Sequence, residues 1–443
     1  MEPVIYHIDV NSAFLSWEAA YRIHHLGGTL DLRDIPSAIS GDAALRHGII
    51  LAKSLPAKRF GIRTGETIPE AIQKCPSLYM APPNYGLYQK CSEAFLKILK
   101  EYTPMVEQYS IDEAFMDMTE TLHLFGTPVD TAHQIKNRIR EELGFTVNVG
   151  ISCNKLLAKM AGELKKPDLV HTLFPEEIPE KMWPLPVSDL FFTGKAATKK
   201  LLNLGIHTIG ELAQSDPKLL SLHLKKHGET IWAFANGIDC SSVEPVPPPQ
   251  KGYGNSTTIA FDVSDADTAR LVLLGLAETV GARLRKDHVQ AELMSVGIKS
   301  CTQRASRNSC PTGGSAVNCG IKYDLSYASH QMILKNPTNI TTELYHYACL
   351  LFDRLWDKKT PIRHLGIHTG RLSENNGLRQ MNLFDAIDFV KLEQLDKTVD
   401  SIRKRYGIDA VKRAAFLGVP IDHMEGGVSR EKRTADYSCL EIK

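Results

Sequence analysis

The sequence lacks several features that mark special classes of protein. It has no long apolar run, so we expect no membrane-spanning helix. Its start, Met1-Glu2-Pro3, has no basic segment followed by an apolar core, so we also expect no signal peptide. The net charge is only +1, and overall charge therefore gives no argument for a nucleic-acid partner, although acids elsewhere can offset a basic face.

Cysteine is also sparse, and its pattern excludes two kinds of structural cross-link. The nine cysteines are odd in number and scattered, which fits a reducing cytoplasm better than a disulfide framework. Cys301, Cys310 and Cys319 are evenly spaced, but no Cys-x-x-Cys pair or nearby histidine completes a zinc site. What remains is an ordinary globular composition, 43% hydrophobic and 23% charged, long enough for roughly two to four domains.

Two short acidic segments carry the main chemical signal. Asp9 lies near the end of an apolar strand, Val4–Val10, and the adjacent carboxylates Asp112 and Glu113 lie between two strand-like runs. Carboxylates at the ends of neighbouring strands can converge on divalent cations, which prefer oxygen ligands. Two such cations can hold the attacking and leaving oxygens of a phosphoryl transfer. Alone, however, an Asp-Glu pair is more often a solvated turn.

The order of the surrounding elements favours the metal site over the turn. The predicted elements are strand Val4–Val10, a helix from Ser12 to His25, strands Met105–Tyr109 and Ala114–Met118, a helix from Val129 to Leu143, and strand Phe145–Ile151. This βαββαβ order is typical of a ferredoxin-like split βαβ unit, in which strands one and three are neighbours. Asp9 would then lie beside Asp112 and Glu113. The predicted fold class is α/β (α+β).

An insertion after the first helix is basic. Residues 49–66 contain four cations and two glycines suited to tight turns, namely Lys53, Lys58, Arg59, Arg63, Gly61 and Gly65. Cations beside a carboxylate site suit an anionic substrate such as a triphosphate. A solvated basic face is the alternative.

Cations recur after the fourth strand. Ser152 is the predicted N-cap of a helix that carries Lys155 and Lys159 on one face. Residues 185–213 then resemble a helix-hairpin-helix, which holds nucleic-acid phosphate with backbone N–H groups and nearby cations. The lysines concerned are Lys195, Lys199 and Lys200. An ordinary helical pair is equally compatible with this segment.

The second half of the chain begins with a proline-rich segment, residues 244–250, which predicts an extended linker. A mixed α/β region follows, with predicted strands 254–261, 292–299 and 363–369 and predicted helices 266–286 and 342–356. Inside it, about residues 300–320 are polar and glycine-rich, which predicts an inserted surface loop without a catalytic role. A further helix is predicted from Phe389 to Arg405.

Together these segments resemble the Y-family lesion-bypass DNA polymerases of the bacterial DinB/UmuC type. The resemblance rests on His7-Ile8-Asp9, on Ser110–Ala114 and on the run from Gly150 to Pro167, in the family's order and spacing. It implies a template-directed DNA polymerase of low fidelity that serves DNA repair and SOS damage tolerance. Such an enzyme adds deoxynucleotides to a primer 3′-hydroxyl with two Mg²⁺ ions, and we expect a cytoplasmic monomer bound to primer–template DNA.

The resemblance also implies a domain order. The expected domains are a palm (1–25 and 76–167), fingers (26–75), a helix-hairpin-helix thumb (168–240), a linker (241–252), a little finger (253–372) and a tail (373–443).

The resemblance assigns roles to individual residues as well. The three carboxylates Asp9, Asp112 and Glu113, with the Val10 carbonyl, would bind metal. The ring of Phe14 would collide with a ribose 2′-hydroxyl and so act as a steric gate. The expected triphosphate contacts are Lys58 and Lys166, the expected DNA contacts are Lys195, Lys199 and Lys200, and the expected sliding-clamp contacts are Gln380, Leu383 and Phe384.

Three departures from the family pattern are evident. Leu55 stands where many members have a tyrosine that touches the triphosphate, and Phe192 replaces the first glycine of the thumb hairpin's Gly-x-Gly. The insertion around residues 300–320 has no family counterpart.

Two rival functions stay open. One is a nucleotide cyclase, which leaves the hairpin and the clamp-like peptide unexplained. The other is a non-catalytic, clamp-tethered DNA-binding accessory subunit, although the three carboxylates and the gate are present.

Overall fold

The computed structural model describes residues 2–41, 48–304, 322–374, 379–380, 388–424, 440 and 442. The chain divides into two compact units. The first comprises Met1–Gly41, Ile49–Pro248 and Thr434–Lys443, and the second comprises Asp42–Gly48 and Pro249–Arg433. Among the described residues, no helix is long and apolar enough to cross a membrane.

The first unit is a mixture of short strands and helices. Its strands are β1 Ile5–Val10, β2 Ser37–Ser40, β3 Ile50–Lys53, β4 Tyr79–Ala81, β5 Val106–Gln108, β6 Glu113–Asp117, β7 Val147–Ser152 and β8 Val170–Thr172. Its helices are α1 Ala13–His24, α2 Leu55–Arg59, α3 Ile68–Lys74, α4 Tyr85–Lys100, α5 Pro128–Leu143, α6 Lys155–Glu163, α7 Ile178–Lys181, α8 Lys195–Asn203, α9 Ile209–Ala213, α10 Pro217–Leu224 and α11 Lys226–Ala235.

The central sheet has the strand order β5-β6-β1-β7-β8, and β1 is antiparallel to both β6 and β7. The order of β1, β5, β6 and β7 confirms the predicted ferredoxin-like unit. Every residue of β1 is buried, because helices cover both faces of the sheet. On one face, Trp17, Tyr88 and Ile139 of three helices pack against Tyr6 and Ile8 of β1.

Helix α6 covers the opposite face at unusually close range. A Cβ at Gly150 would lie only 1.9 Å from the carbonyl oxygen of Ala158, so only glycine fits there. The cap of this helix differs from the prediction. The Asn154 side chain accepts a hydrogen bond from the backbone N–H of Leu157, whereas Ser152 is the last residue of β7 and its hydroxyl donates to the Leu173 carbonyl. Close packing of α6 brings its lysines over β1 and β6.

A second, three-stranded sheet has the order β3-β2-β4 and packs on a small core that includes Ile50, Ile62 and Ile68. Because β4 pairs with β2, this region extends past residue 75, the predicted end of the fingers. The helices α7–α11 pack around a third core. Within it, α8 and α9 are joined through Gly205 at φ +79°, as expected for a hairpin turn.

The predicted linker begins inside the first unit. The Lys155 ammonium donates to the Ser242 carbonyl, and the backbone N–H of Glu244 donates to Glu107 at 2.8 Å. Val243 between them is buried. The proline-rich composition indicates an extended chain, but it does not reveal that the chain is anchored by these contacts.

The second unit is a four-stranded antiparallel sheet with helices against it. Its elements are β9 Gly252–Val263, α12 Ala266–Lys286, β10 Val289–Arg304, β11 Lys322–Thr338, α13 Thr341–Leu355, β12 Ile362–Glu374 and α14 Phe389–Tyr406. The strand order is β11-β10-β12-β9. Pairing of β10 with β11 continues to Arg304 opposite Lys322, so residues 300–304 of the predicted loop are strand, and 305–320 lie outside the described residues.

The predicted tail contains a packed helix. Arg285 of α12, which is 8% exposed, donates to Asp396 at 3.2 Å and to Asp400 at 2.6 Å, and both acids lie on α14. Farther along, Phe416 and Ile421 are buried in the core of the second unit. Residues 388–424 are therefore part of this unit and not a free extension.

Candidate active site

The three predicted carboxylates come together at one edge of the central sheet. Asp9 lies directly opposite Glu113 in the pairing of β1 with β6. The backbone N–H of Val10 donates to the carbonyl oxygen of Asp112 at 3.0 Å, which fixes the acidic turn against the end of β1. The strand register that the βαββαβ order predicts therefore accounts for the proximity of all three residues.

Ser110 shapes the turn. Its hydroxyl accepts from the backbone N–H groups of Asp112 and Glu113, at 3.2 and 3.1 Å, and donates to the Asp112 carboxylate at 2.6 Å. This set of bonds orients the Asp112 side chain before any ligand binds. Sequence reasoning included Ser110 in a motif but gave it no role. Its position two residues before an aspartate is the signal of a side chain that caps a turn.

Two lysines pair with two of the carboxylates. Lys166 donates to Asp9, and Lys159 donates to Glu113 at 2.6 Å. Lys166 was expected near a phosphate, whereas Lys159 was recognised only as part of a basic helix face. The site thus contains ammonium groups beside the oxygens that are expected to bind cations.

These contacts set the protonation of the site. Burial raises the pKa of Asp9 to about 6, although Lys166 opposes the shift. Burial would also raise the pKa of Glu113, but hydrogen bonds from His7 and Lys159 lower it to about 2. Glu113 is therefore an anion throughout the physiological range, and Asp9 is predominantly an anion at neutral pH.

The donor set fits a hard divalent cation. Asp9, Asp112 and Glu113 and the Val10 carbonyl offer only oxygen, the ligand that Mg²⁺ and similar ions prefer. In the part of the chain that the structure describes, only Asp409, Asp422 and His423 bring ligand atoms of three such residues within 4.8 Å of one another. The carboxylate oxygens of Asp9, Asp112 and Glu113 therefore do not all lie within 4.8 Å of one another.

The cluster around Asp409 in the second unit has a different character. His423 lies 2.7 Å from Asp409, and Lys412 lies 3.0 Å from the same carboxylate. The Asp409 oxygens are thus already engaged by neighbouring cationic and hydrogen-bonding groups, so we regard this cluster as an ion-pair group.

A cavity of about 270 Å³ opens beside Asp9 and Asp112. One wall comes from the start of the chain and the other from the basic insertion. Its remaining lining residues are Val10, Ser12, Ala13, Phe14, Leu51, Ala52, Lys53 and Thr64. The Phe14 ring stacks on Tyr88 with ring centroids 4.6 Å apart, so the predicted gate is held rigidly next to the carboxylates.

The basic insertion presents a different lysine from the one expected. Lys53 lines the cavity and donates to the Thr64 hydroxyl at 3.1 Å. Lys58, the predicted contact, lies on α2 and is exposed, and it is not among the lining residues. Lys53 stood among the four cations of the insertion in the sequence, but only the position of β3 in the small sheet shows that its side chain faces the cavity.

The three predicted DNA-binding lysines separate into two groups. Lys195 and Lys199 line a shared groove at the start of α8, together with Ser188, Thr193 and Thr198. Lys200 instead donates to the carbonyl of His223 at 3.2 Å.

In the second unit, Gln380 exchanges two hydrogen bonds with the Asn336 side chain, whereas Leu383 and Phe384 lie outside the described residues.

Comparison with known proteins adds independent information. Residues 8–163 match the impB/mucB/samB family, and residues 250–383 match the C-terminal domain of the same family. The chain is 43% identical to a DNA polymerase IV of Clostridium acetobutylicum, over 94% of this chain and 99% of that relative. It is 34% identical to DNA polymerase IV 1 of Bacillus subtilis, over 94% and 93% of the two chains.

A solved structure shares the fold. The Y-family DNA polymerase chimera Dbh-Dpo4(243-245)-Dbh aligns with a TM-score of 0.68, over 84% of this chain and all of that one. Its sequence identity is 19%, so this likeness concerns the fold alone.

Proposed function

The chain belongs to the impB/mucB/samB family, the DinB type of Y-family DNA polymerase, and we propose that its carboxylates Asp9, Asp112 and Glu113 carry the nucleotidyl transfer. It is a DNA-directed DNA polymerase of the translesion class, which acts on primer–template DNA and deoxynucleoside triphosphates and depends on a divalent metal. The observation that supports the assignment is the register that places Asp9 opposite Glu113, with Asp112 bonded to Val10 at the mouth of a cavity.

We propose that two Mg²⁺ ions bind to these residues and to the Val10 carbonyl. When bound, such ions lower the pKa of the primer 3′-hydroxyl and neutralise the triphosphate and the departing pyrophosphate. The protein's own contribution is positioning and charge, because phosphoryl transfer needs little covalent chemistry from side chains. Ser110 holds the Asp112 carboxylate in place, and β1 holds Asp9.

The lysines balance this charge. Without other cations, Lys159 and Lys166 neutralise Glu113 and Asp9. Asp9 and Glu113 would hold a divalent ion, and the ammonium groups of Lys159 and Lys166 would then be available to the triphosphate. Lys166 contacts Asp9, which lines the cavity, and we propose Lys166 as a nucleotide contact together with a lysine of the insertion. Template pairing selects the base, so the cavity needs no side chain that reads sequence.

The remaining roles follow the family resemblance. We propose that Lys195 and Lys199 contact the DNA backbone, because both line the groove at the start of α8. We also propose that residues 380–384 dock on a sliding clamp, and that the enzyme acts as a cytoplasmic monomer in SOS damage tolerance. The rival roles, a cyclase and an inactive accessory subunit, are not favoured by the family match.

Single-nucleotide primer extension tests the metal-site assignment. Asp112→Ala should abolish incorporation on undamaged and abasic templates, because one of the three ligands is lost, and DNA binding should change little. Asp130→Ala is the matched control, since Asp130 lies in the first turn of α5 away from the site. Extension by Asp112→Ala at nearly the parent rate would show that the site is assigned wrongly.

A further inference from the structure

A chain of aromatic rings leads from the carboxylates to the helical region of the first unit. Tyr109 contacts Phe191 at 6.4 Å between ring centroids, and Phe191 contacts Phe192 and Phe234 at 6.2 and 6.3 Å. Phe192 also contacts His227 of α11 at 5.2 Å. We call these five residues the aromatic ridge. All of them lie in one compact unit.

The ridge begins at the catalytic turn itself. The backbone N–H of Tyr109 donates to the carbonyl of Glu113 at 3.0 Å, so the ring is tied to the residues that hold the reaction centre. It ends beside the groove that Lys195 and Lys199 line, because Thr193, the residue that follows Phe192, also lines that groove. The ridge therefore spans the distance between the carboxylates and the predicted DNA-binding hairpin.

Phe192 is an unusual residue for its backbone position. Its φ is +73°, a left-handed conformation that bulky side chains rarely adopt, and its side chain is 58% exposed. A glycine at this position would accommodate the conformation without strain. Burial does not explain the choice of phenylalanine, because the residue is largely exposed. An exposed aromatic residue at a strained backbone position indicates a binding role.

One cation, the buried Lys159, lies close to two rings of the aromatic ridge. The Lys159 ammonium lies 5.4 Å from the centroid of the Tyr109 ring and 5.5 Å from that of Phe191. Tyr109 is 48% exposed. The exposed rings of Tyr109 and Phe192 and the exposed ammonium groups of Lys195 and Lys199 match the chemistry of a nucleic-acid strand, whose sugars and bases offer apolar faces between charged phosphates.

We propose that the aromatic ridge binds the primer strand close to its 3′ end, with Phe192 packed against deoxyribose or base. This inference rests on the proposed function, because the primer 3′-hydroxyl must reach the metal-binding carboxylates where the ridge starts. Continuity with that site favours the primer over a protein partner. Phe192 would supply an apolar contact with the duplex through its ring.

Salt-dependent DNA binding tests the nature of the contact. The full-length chain and its Phe192→Ala and Phe192→Gly variants are titrated with a fluorescent primer–template at several salt concentrations. Both variants should bind roughly ten times more weakly, within the range for loss of one base–aromatic contact. The slope of log Kd against log salt should not change, because no phosphate contact is lost, whereas Lys199→Ala should reduce that slope by about one.

A stability measurement separates binding from folding. Phe192→Gly should melt at a higher temperature than Phe192→Ala, because both lack the ring but only glycine suits the left-handed backbone. If the ridge binds DNA, the two variants bind equally weakly despite this difference. Affinity that follows stability, or parent-like affinity in either variant, would overturn the proposal. Leu222→Ala is the control, since Leu222 is 78% exposed on α10 outside the ridge and should bind like the parent.

Photo-crosslinking identifies the strand. A benzoylphenylalanine in place of Phe192 should crosslink to the primer strand of a bound primer–template. Crosslinks to the template strand alone, or to no DNA, would overturn the assignment. These outcomes leave the result of Asp112→Ala unaffected, so failure of the ridge and failure of the proposed catalytic site can be distinguished.

Discussion

Phe14 is predicted to select the sugar of the incoming nucleotide. Its ring lines the cavity next to Asp9 and is held by stacking on Tyr88, which is fully buried. A gate works only if the ring cannot swing aside, and this stacking restricts it. The same ring would be harmless to a deoxyribose, which has no 2′-hydroxyl to collide with it.

Replacing the gate should therefore change sugar selection. Phe14→Ala should raise ribonucleotide incorporation relative to deoxynucleotide incorporation by about 10- to 100-fold, the usual effect of removing one steric clash from a pocket. The measurement is kcat/KM for a matched ribonucleotide and deoxynucleotide pair. Phe60→Ala, an exposed residue of the insertion, is the control. Unchanged discrimination in Phe14→Ala would refute the gate.

Two lysines of the insertion are candidates for the triphosphate contact. Lys58 matches the family position, but Lys53 lines the cavity. Burial and the nearby charge of Lys58 lower the pKa of Lys53. An ammonium group supplies a point charge without a bidentate fork, so each contact should affect nucleotide affinity modestly.

The comparison of Lys53→Met with Lys58→Met decides between them. We expect Lys53→Met to raise the apparent KM of all four deoxynucleotides by roughly the same factor, on the order of tenfold for a lost charged hydrogen bond. DNA affinity should not change. Arg59→Met, on the exposed side of α2, is the control. A larger KM effect from Lys58→Met would favour the family-based assignment over the cavity.

At the residue scale, the sequence predicted the three carboxylates and Lys166, but it gave no role to Ser110 or Lys159. Asp9, Asp112 and Glu113 stand out because the βαββαβ order places them on neighbouring strands and because they lie in motifs that resemble those of the family. Ser110 and Lys159 do not stand out, because their roles depend on side-chain directions in a turn and across packed elements. The choice of Lys53 over Lys58 as a lining residue likewise requires the three-dimensional position of β3.

At the scale of elements, the βαββαβ unit was predictable because its strands are short apolar segments and its helices are amphipathic. Strand β11 was not among the predicted strands, because the polar segment before it interrupts the hydrophobic pattern. Helix α14 was predicted correctly, but its packing was not. Its contact with α12 depends on charged residues, which ordinarily indicate a solvated surface.

The buried ion pairs of α14 predict a large effect on stability. Asp396 is 6% exposed, accepts from Arg285 at 3.2 Å and from the backbone N–H of Thr341 at 2.7 Å. Asp396→Ala should destabilise the second unit by about 3 kcal/mol, the low end for a broken buried pair, because Asp400 still faces Arg285. Hydrogen exchange of the α14 amides measures the loss. Asp267→Ala, which removes a fully exposed acid, is the control, and equal protection in both variants would contradict the prediction.

At the scale of the whole molecule, catalysis and clamp docking would use separate parts of the chain. The carboxylates lie in the first unit, and Gln380 lies in the second, held by Asn336. Next to Gln380, the Arg379 guanidinium pairs with Glu343 and lies 3.5 Å from the ring centroid of Phe389, the first residue of α14. The residues on both sides of the proposed docking peptide are thus fixed to the same unit.

This separation predicts that clamp response and basal activity can be uncoupled. Adjacent apolar residues in a short segment usually serve a partner's pocket, so replacing both Leu383 and Phe384 with alanine should remove clamp-stimulated synthesis. Basal primer extension should survive, because Asp9, Asp112 and Glu113 are untouched. The measurement is product length with and without a loaded sliding clamp. Val390→Ala, an exposed residue of α14, should respond to the clamp like the parent. Equal stimulation of the double variant and the parent would show that the two residues serve the structure of the second unit instead.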